Sequence, residues 1–574
     1  MTAQPTTTPS VDPVVLGAVT EDMVREYAVH EAVCVRPLLR QVTDRDTGQI
    51  HKLVIPCGAT REYLCPPCAA KTRRLRMQQC REGWHLADDP LDHPADERVE
   101  GSDASLGEES DVQSETSDEA GGVGTADGIE SAESGRRVRS TRRRPDAVDL
   151  PRVPAEQRTV GRTFTAPDGT VYRPSMFVTL TLGSYGRVVS PVKGRTIPGA
   201  GSPVNPDRYD YRRAALEALH FPKLFDRWVQ NLRRCAGYVV QYFGAIEPQR
   251  RLAPHIHVAL RGAIPRRLLR EVTAATYLQL WWPAHDQIVF DEDELPWWDA
   301  TEETYRCPWT GFALPTWQDA LDDLDAKPDA KPALVMRFGT QADIHGIIAP
   351  SADADRSIRY LTKYLTKDVA ETYGAPDGVP DDPAYERHVT RLWHELLILP
   401  CSPECSNWLR YGIQPKDAGP GLDRGACPSK AHSRECLGLG GRRVQVSRHW
   451  SGKTLGQHRA DRAEVVRQVL TAAGITAPEA DRLSTTVLAA DGKPRFVWED
   501  LRVRDHDYVT VVMGSVIEAR RWRLEYETAK TEQAARAGPP SSPPNGRAGV
   551  ARGGRANSAT TPRRPPDHQP TKDA

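Results

Sequence analysis

No stretch of the 574 residues approaches the ~18 consecutive apolar residues that a membrane span needs, which excludes a membrane-spanning protein. Residues 1–10 lack a basic segment followed by an apolar one, so no secretory signal is expected and a cytoplasmic location follows. At that address the eleven cysteines need a role other than disulfides. Lysine is scarce, with 14 Lys against 62 Arg among the 76 basic residues. Arginine's rigid five-donor fork suits phosphate, although GC-rich codon bias also raises its count. Aromatic residues are missing from 88–133, where sixteen Asp or Glu stand against one basic residue, Arg98. That segment carries −15 in a chain of net charge −1, so the remainder carries +14 and a polyanionic partner is expected.

A length of 574 residues suggests three or four domains at roughly 150 residues each. Segment 88–159 is too polar to offset the entropy of ordering, and reads as a disordered linker, first acidic and then basic through Arg136, Arg137, Arg139, Arg142, Arg143 and Arg144. Residues 1–22 and the Pro-, Gly- and Ser-rich tail 537–574 are expected to be disordered too. Between them lie an N-terminal module (23–87), a large central domain (160–400), a Cys-rich connector (401–440) and a C-terminal helical segment (441–536) that is a candidate for DNA binding.

Within the central domain, SMFVTLTL (175–182) is apolar and β-branched and ends at Gly183, the pattern of a buried strand. YVVQYFGAIE (238–247) and HIHVAL (255–260), joined by 248–254, read as a hairpin. Apolar residues at Leu224, Phe225, Trp228, Val229 and Leu232 have helical spacing within 221–235. Strands with intervening helices predict an α+β domain on an antiparallel sheet.

His255 and His257 are two apart on a strand, so both imidazoles leave one face while Ile256 and Val258 leave the other. Glu247 comes alongside across the hairpin and completes a two-His, one-carboxylate set that leaves coordination positions open. An isolated HxH is also what two half-exposed strand histidines look like. The segment 358–367 (IRYLTKYLTK) is expected to be a helix with Tyr360, Lys363, Tyr364 and Lys367 on one face and Ile358, Leu361 and Leu365 packed on the sheet. A phenol beside a cation and a metal is a competent nucleophile toward phosphorus, so the two faces together specify attack of Tyr on a phosphodiester.

Two cysteine clusters have zinc-ligand spacing. Cys57, Cys65 and Cys68 form the first, with Cys34 upstream and Cys80 downstream as candidates for a fourth ligand. Cys401, Cys405, Cys427 and His432 form the second, with Cys436 competing. Closed tetrahedral sites of these kinds stabilise folding, so about two structural Zn2+ ions are expected. Gly452-Lys453-Thr454 resembles the end of a phosphate-binding loop, but Ser447 stands where the loop requires glycine and no strand is expected to lead into it. Arg250, Arg251 and Arg261 near the metal strands are candidate DNA contacts, as are Arg442, Arg443, Arg448 and His449 for duplex reading. Trp281, Trp282, Trp297, Trp298, Trp309 and Trp317 are either core or a stacking surface for unpaired bases.

The order FVTLT (177–181), HIH (255–257) and YLTKYLTK (360–367) resembles the three motifs of HUH-type endonucleases, the rolling-circle initiators of plasmids and small phages. RRAALEALHF, EPQRRLAPHIHVALRG, SIRYLTKYLTKD, NWLRYGIQP and GRRVQVSRHWSGKTL resemble replication initiators of actinobacterial plasmids and integrative elements, over about 30–470. The resemblance implies that 160–400 is an HUH nicking domain in which His255, His257 and Glu247 hold Mg2+ or Mn2+. It also implies Tyr364, followed at three residues by Lys367, as nucleophile, Tyr360 as a second tyrosine, and Cys34 rather than Cys80 as fourth ligand of the first cysteine cluster. Origin DNA, double- and single-stranded, and a host helicase and polymerase are the implied partners. A conjugative relaxase or single-strand transposase of the same chemistry is an alternative, and a non-enzymatic zinc-finger DNA-binding protein is another.

Overall fold

The computed structural model describes residues 20–84, 144, 146–151, 164–191, 197–236, 238–290, 294–349, 351–363, 365–366, 382–422, 427–440, 443–472, 483, 487–489, 491–501 and 508–537. The first elements are α1 (Glu21–His30), β1 (Leu38–Asp44), β2 (Ile50–Ile55) and α2 (Pro66–Trp84). The central region begins with β3 (Phe164–Thr165), β4 (Val171–Leu182), α3 (Tyr211–Ala236), β5 (Tyr242–Pro248), β6 (Pro254–Arg261), α4 (Arg266–Ala275) and β7 (Tyr277–Leu280). It continues with β8 (Trp297–Asp299), β9 (Thr304–Arg306), α5 (Trp317–Asp325), β10 (Leu334–Ala349), α6 (Ala352–Thr362) and α7 (Pro383–Ile398). The described chain ends with β11 (Val444–Val446), α8 (Leu455–Ala472), β12 (Phe496–Leu501) and α9 (Tyr508–Ala537).

The main sheet has the order β11-β5-β6-β4-β10-β7, with β3 beside β4 and every described pair antiparallel, which gives the α+β class expected. Its period of two sorts side chains between two cores. Met176, Val178 and Leu180 of β4 and Ile256, Val258 and Leu260 of β6 pack with Phe221, Leu224, Phe225 and Trp228 of α3. The opposite face buries Phe243, Ala245 and Ala259 against Cys80 and Trp84 of α2, Ile358 and Leu361 of α6, and Trp450. The tyrosine helix and the N-terminal module therefore share the face from which His255 and His257 project.

Three boundaries differ from expectation. Glu21 and Asp22, placed in a disordered terminus, open α1 behind the Thr20 cap. Part of the linker is held: Asp146 pairs with Arg144 and Arg337, each at 2.8 Å, and Leu150 packs on the larger core. Most of 88–159, and 538–574, lie outside the described residues. The N-terminal module and the C-terminal segment, expected as separate units, form one sheet of order β12-β1-β2, with Val42 opposite Trp498. Val512 and Val516 of α9 pack against Val24, Val33 and Cys34. Among the described residues no helix is long and apolar enough to cross a membrane.

Candidate metal centre

The centre is built by strand register. Glu247 of β5 stands opposite His255 of β6, and Thr179 of β4 stands opposite His257, so the four side chains share one face. Glu247, His255 and His257 are all buried, and one ligand atom from each lies within 4.8 Å of the others. The two Nε2 atoms approach to 2.9 Å. Oε1 of Glu247 is buried without a hydrogen-bond partner. Two converging imidazole nitrogens beside an orphaned carboxylate oxygen have more lone pairs than protons, and a divalent cation would satisfy all three.

Burial sets the charges. It pushes the Glu247 carboxyl up to about 7, against the pull of Arg443 and Lys363. It holds His255 down to about 4 and His257 to about 3, so both are neutral near pH 7, as metal ligands must be. Thr179 Oγ1 lies 2.9 Å from His257 Nδ1; a proton held on Nδ1 leaves Nε2 free for an ion.

The tyrosine helix reaches this centre. Tyr360 Oη lies 3.2 Å from His257 Nε2, and its ring meets His257 edge-on at 4.8 Å. Phe177 stacks on His257 at 5.9 Å and meets the Tyr360 ring edge-on at 6.3 Å. The apolar stripe Ile358, Leu361 and Leu365 is buried as expected. The helix itself differs, since it starts at Ala352 behind the Ser351 cap and ends at Thr362 instead of running to 367. Thr362 Oγ1 bonds back to Ile358 O, and Lys363 N closes on Tyr360 O, a tightening typical of a helix end. Tyr364 and Lys367 lie outside the described residues.

The first cysteine cluster gathers Cys34, Cys57, Cys65 and Cys68, with Cys34 3.8 Å from Cys65 and Cys57 3.8 Å from Cys68. Cys80, the competing ligand, is instead buried beside Trp84 and Trp450. Hydrogen bonds from Cys34 and Cys68 hold the Cys65 thiol well below its ordinary range. In the second cluster Cys401 and Cys427 are 3.8 Å apart, and Cys405 lies 3.4 Å from His432 Nε2. His432 Nδ1 donates to Leu396 O at 2.6 Å, which points Nε2 at the thiols. Cys436, though buried, is not in the group. Each set can hold zinc.

Two of the arginines, Arg261 and Arg443, are a correction. Arg261, expected on DNA, is 5% exposed; it donates to the carbonyls of Gly83 and Trp450 and lies over the Trp450 ring at 5.3 Å. Arg251 donates to Leu182 O and Gly183 O, both at 2.6 Å, and Arg250 to Ala200 O at 2.8 Å. These three hold the β5–β6 connection and the module joint. Arg443, expected on duplex DNA, is buried and donates to Ile246 O at 3.1 Å, beside the metal ligands. Trp282 and Trp317 are core with Trp408, whereas Trp297 and Trp309 are about half exposed. A short strand, β11, does run into the Gly452 segment, contrary to expectation, but Lys453 is paired with Asp461 at 2.7 Å and Ser447 is buried against Gln241.

Fold and site together define an antiparallel α+β protein with a candidate two-histidine, one-carboxylate metal centre facing a tyrosine helix, joined to two cysteine-rich metal-site modules. The chain belongs to the RepSA family, described as "Replication initiator protein, pSAM2", whose family model matches residues 20–517. No curated protein and no solved structure matches it.

Proposed function

We propose that the protein initiates rolling-circle replication of a plasmid or integrative element by nicking one strand of origin DNA, as HUH-type endonucleases do. The observation that supports this most is the approach of the Tyr360 phenol to His257, where two imidazoles and an orphaned carboxylate converge. Mg2+ or Mn2+ held by His255, His257 and Glu247 supplies Lewis acidity toward the non-bridging phosphate oxygens.

Tyr364 is the nucleophile carried over from the resemblance. Its Oη forms the bond to phosphorus, the bond from phosphorus to the 3′ oxygen breaks, the phenol loses its proton and the 3′ oxygen gains one. A 5′-phosphotyrosine ester and a 3′-OH primer result. In this reading Tyr360 attacks the regenerated origin at termination, and the exchange of ester for ester needs no nucleotide hydrolysis. Lys363, close enough to act on Glu247, and Lys367 offset the phenolate charge. Unwinding and synthesis fall to a host helicase and polymerase, and the two zinc sites are structural.

His257→Ala tests this reading. Nicking should fall by about 10²-fold or more while duplex origin binding survives. Equal loss of both would make His257 a structural residue.

A further inference from the structure

The N-terminal module and the C-terminal segment enclose a cleft of about 760 Å3 that the metal centre does not use. Its walls carry Arg25 from α1, Arg36 ahead of β1, Tyr63 from the loop between Cys57 and Cys65, and Tyr508 from the start of α9. Leu38, Leu39, Leu64, Leu501 and Val511 supply apolar surface. Both arginines are exposed, and neither is in an ion pair with a described residue. Tyr63 is 49% exposed, whereas Tyr508 is fixed by donating to Val35 O at 2.9 Å. Glu21 is the acidic group near the Tyr508 end.

Two guanidiniums with no ion pair among the described residues, beside an exposed aromatic ring and over an aliphatic floor, match the two parts of a nucleotide. The guanidiniums suit phosphate and the ring suits a base. The volume is also that of a small-molecule or nucleotide site. The position of the loop favours a DNA strand as the source: Glu62, next to Tyr63, donates its backbone N–H to Thr366 O at 2.8 Å. Tyr63 is thus one residue from a contact to the segment that follows the tyrosine helix.

We propose that this cleft is a single-stranded DNA subsite in which Arg25 and Arg36 hold backbone phosphates and Tyr63 stacks on a base of the strand flanking the nick, an assignment that rests on the nicking function proposed above. Contacts of this kind position a strand without reading its sequence.

The test uses the full chain and a fluorescein-labelled, mixed-sequence single-stranded DNA oligonucleotide followed by anisotropy over a salt series. In Arg25→Ala/Arg36→Ala the slope of log affinity against log salt should fall by about 1.4, two phosphates at about 0.7 each, and Arg25→Lys/Arg36→Lys should restore it. Tyr63→Ala should weaken binding about tenfold with the slope unchanged. Unchanged zinc content reports an intact module in every variant. Wild-type slope and affinity in both alanine variants would overturn the assignment. So would loss of free dATP binding with oligonucleotide binding intact, which would make the cleft a site for free nucleotide. If the wild-type protein forms no covalent adduct while these binding effects appear, nicking fails and the cleft stands; an adduct without the binding effects fails the cleft alone.

Discussion

Glu247 is the residue on which the candidate metal centre turns. Its carboxyl is pushed up to about 7 by burial, so below that pH it is protonated and a poor ligand, and above it is ionised. The histidines titrate well below, at about 4 and about 3, and do not change charge in that window. Affinity for Mn2+ should therefore rise with pH, by up to about tenfold per unit below about 7, and level off above it. Calorimetric titration between about pH 6 and about pH 8 checks this, and Glu247→Gln should be weak and flat. Constant wild-type affinity over that range would mean that Glu247 is not a ligand. The convergence of His255, His257 and Glu247 was legible in the sequence because a strand's period of two puts His255 and His257 on one face whatever surrounds them. Arg261 and Arg443 were misread because an arginine's letter carries no burial signal. Only the nonlocal meeting of β6, Gly83 and Trp450 turns Arg261 inward. Arg261→Ala should cost about 2 kcal/mol or more in stability by leaving those carbonyls unpaired, as chemical denaturation would measure. A variant of wild-type stability with weakened DNA binding would restore the phosphate role.

At the scale of elements, α2 and α6 are tied to each other. The Arg81–Asp355 pair between them is half exposed and worth little. The shared core of Cys80, Trp84, Ile358 and Leu361 carries the joint, and Glu62 N–H to Thr366 O fastens its end. Glu62→Pro removes that donor and Glu62→Ala keeps it. The proline variant should bind both zincs yet lose hydrogen-exchange protection around residues 360–366 and slow any nicking, while the alanine variant matches wild type. Equal behaviour of the two would remove the loop from any positioning role. In the connector, His432→Ala should lower bound zinc from about two per chain to about one, measured by metal analysis. Two retained zincs would exclude His432 as a ligand. Most of both cysteine sets was legible because ligand spacing is local, but Cys34, 23 residues ahead of Cys57, was favoured only by the family resemblance. The end of α6 at Thr362 was not: helical periodicity continues through Leu365, and threonine back-bonding does not disturb it.

In the whole molecule, the least legible feature is the joining of the two ends of the described chain. β12 is a short, mixed-polarity segment, and nothing local marks its partner as β1 more than 450 residues earlier, at Leu39 opposite Leu501. Truncation before Phe496 should uncover Val42, Leu53 and the Val24 core, and so render residues 20–84 protease-sensitive while the central sheet persists. An equally resistant N-terminal module would show that it folds alone. Three strands of the central sheet, β4, β5 and β6, were legible, but β10, a 16-residue strand with an irregular register between Phe338 and Ala342, passed unnoticed because its polar interior breaks the alternation. The most direct test of the nicking function is to incubate the full chain with single-stranded origin DNA and a divalent cation, digest the product, and map any DNA-bearing peptide by mass. A 5′-phosphate ester on Tyr364, with Tyr360 labelled when Tyr364 is replaced by Phe, is the expected result. Absence of an adduct, or an adduct on a residue outside the 360–367 segment, would contradict it.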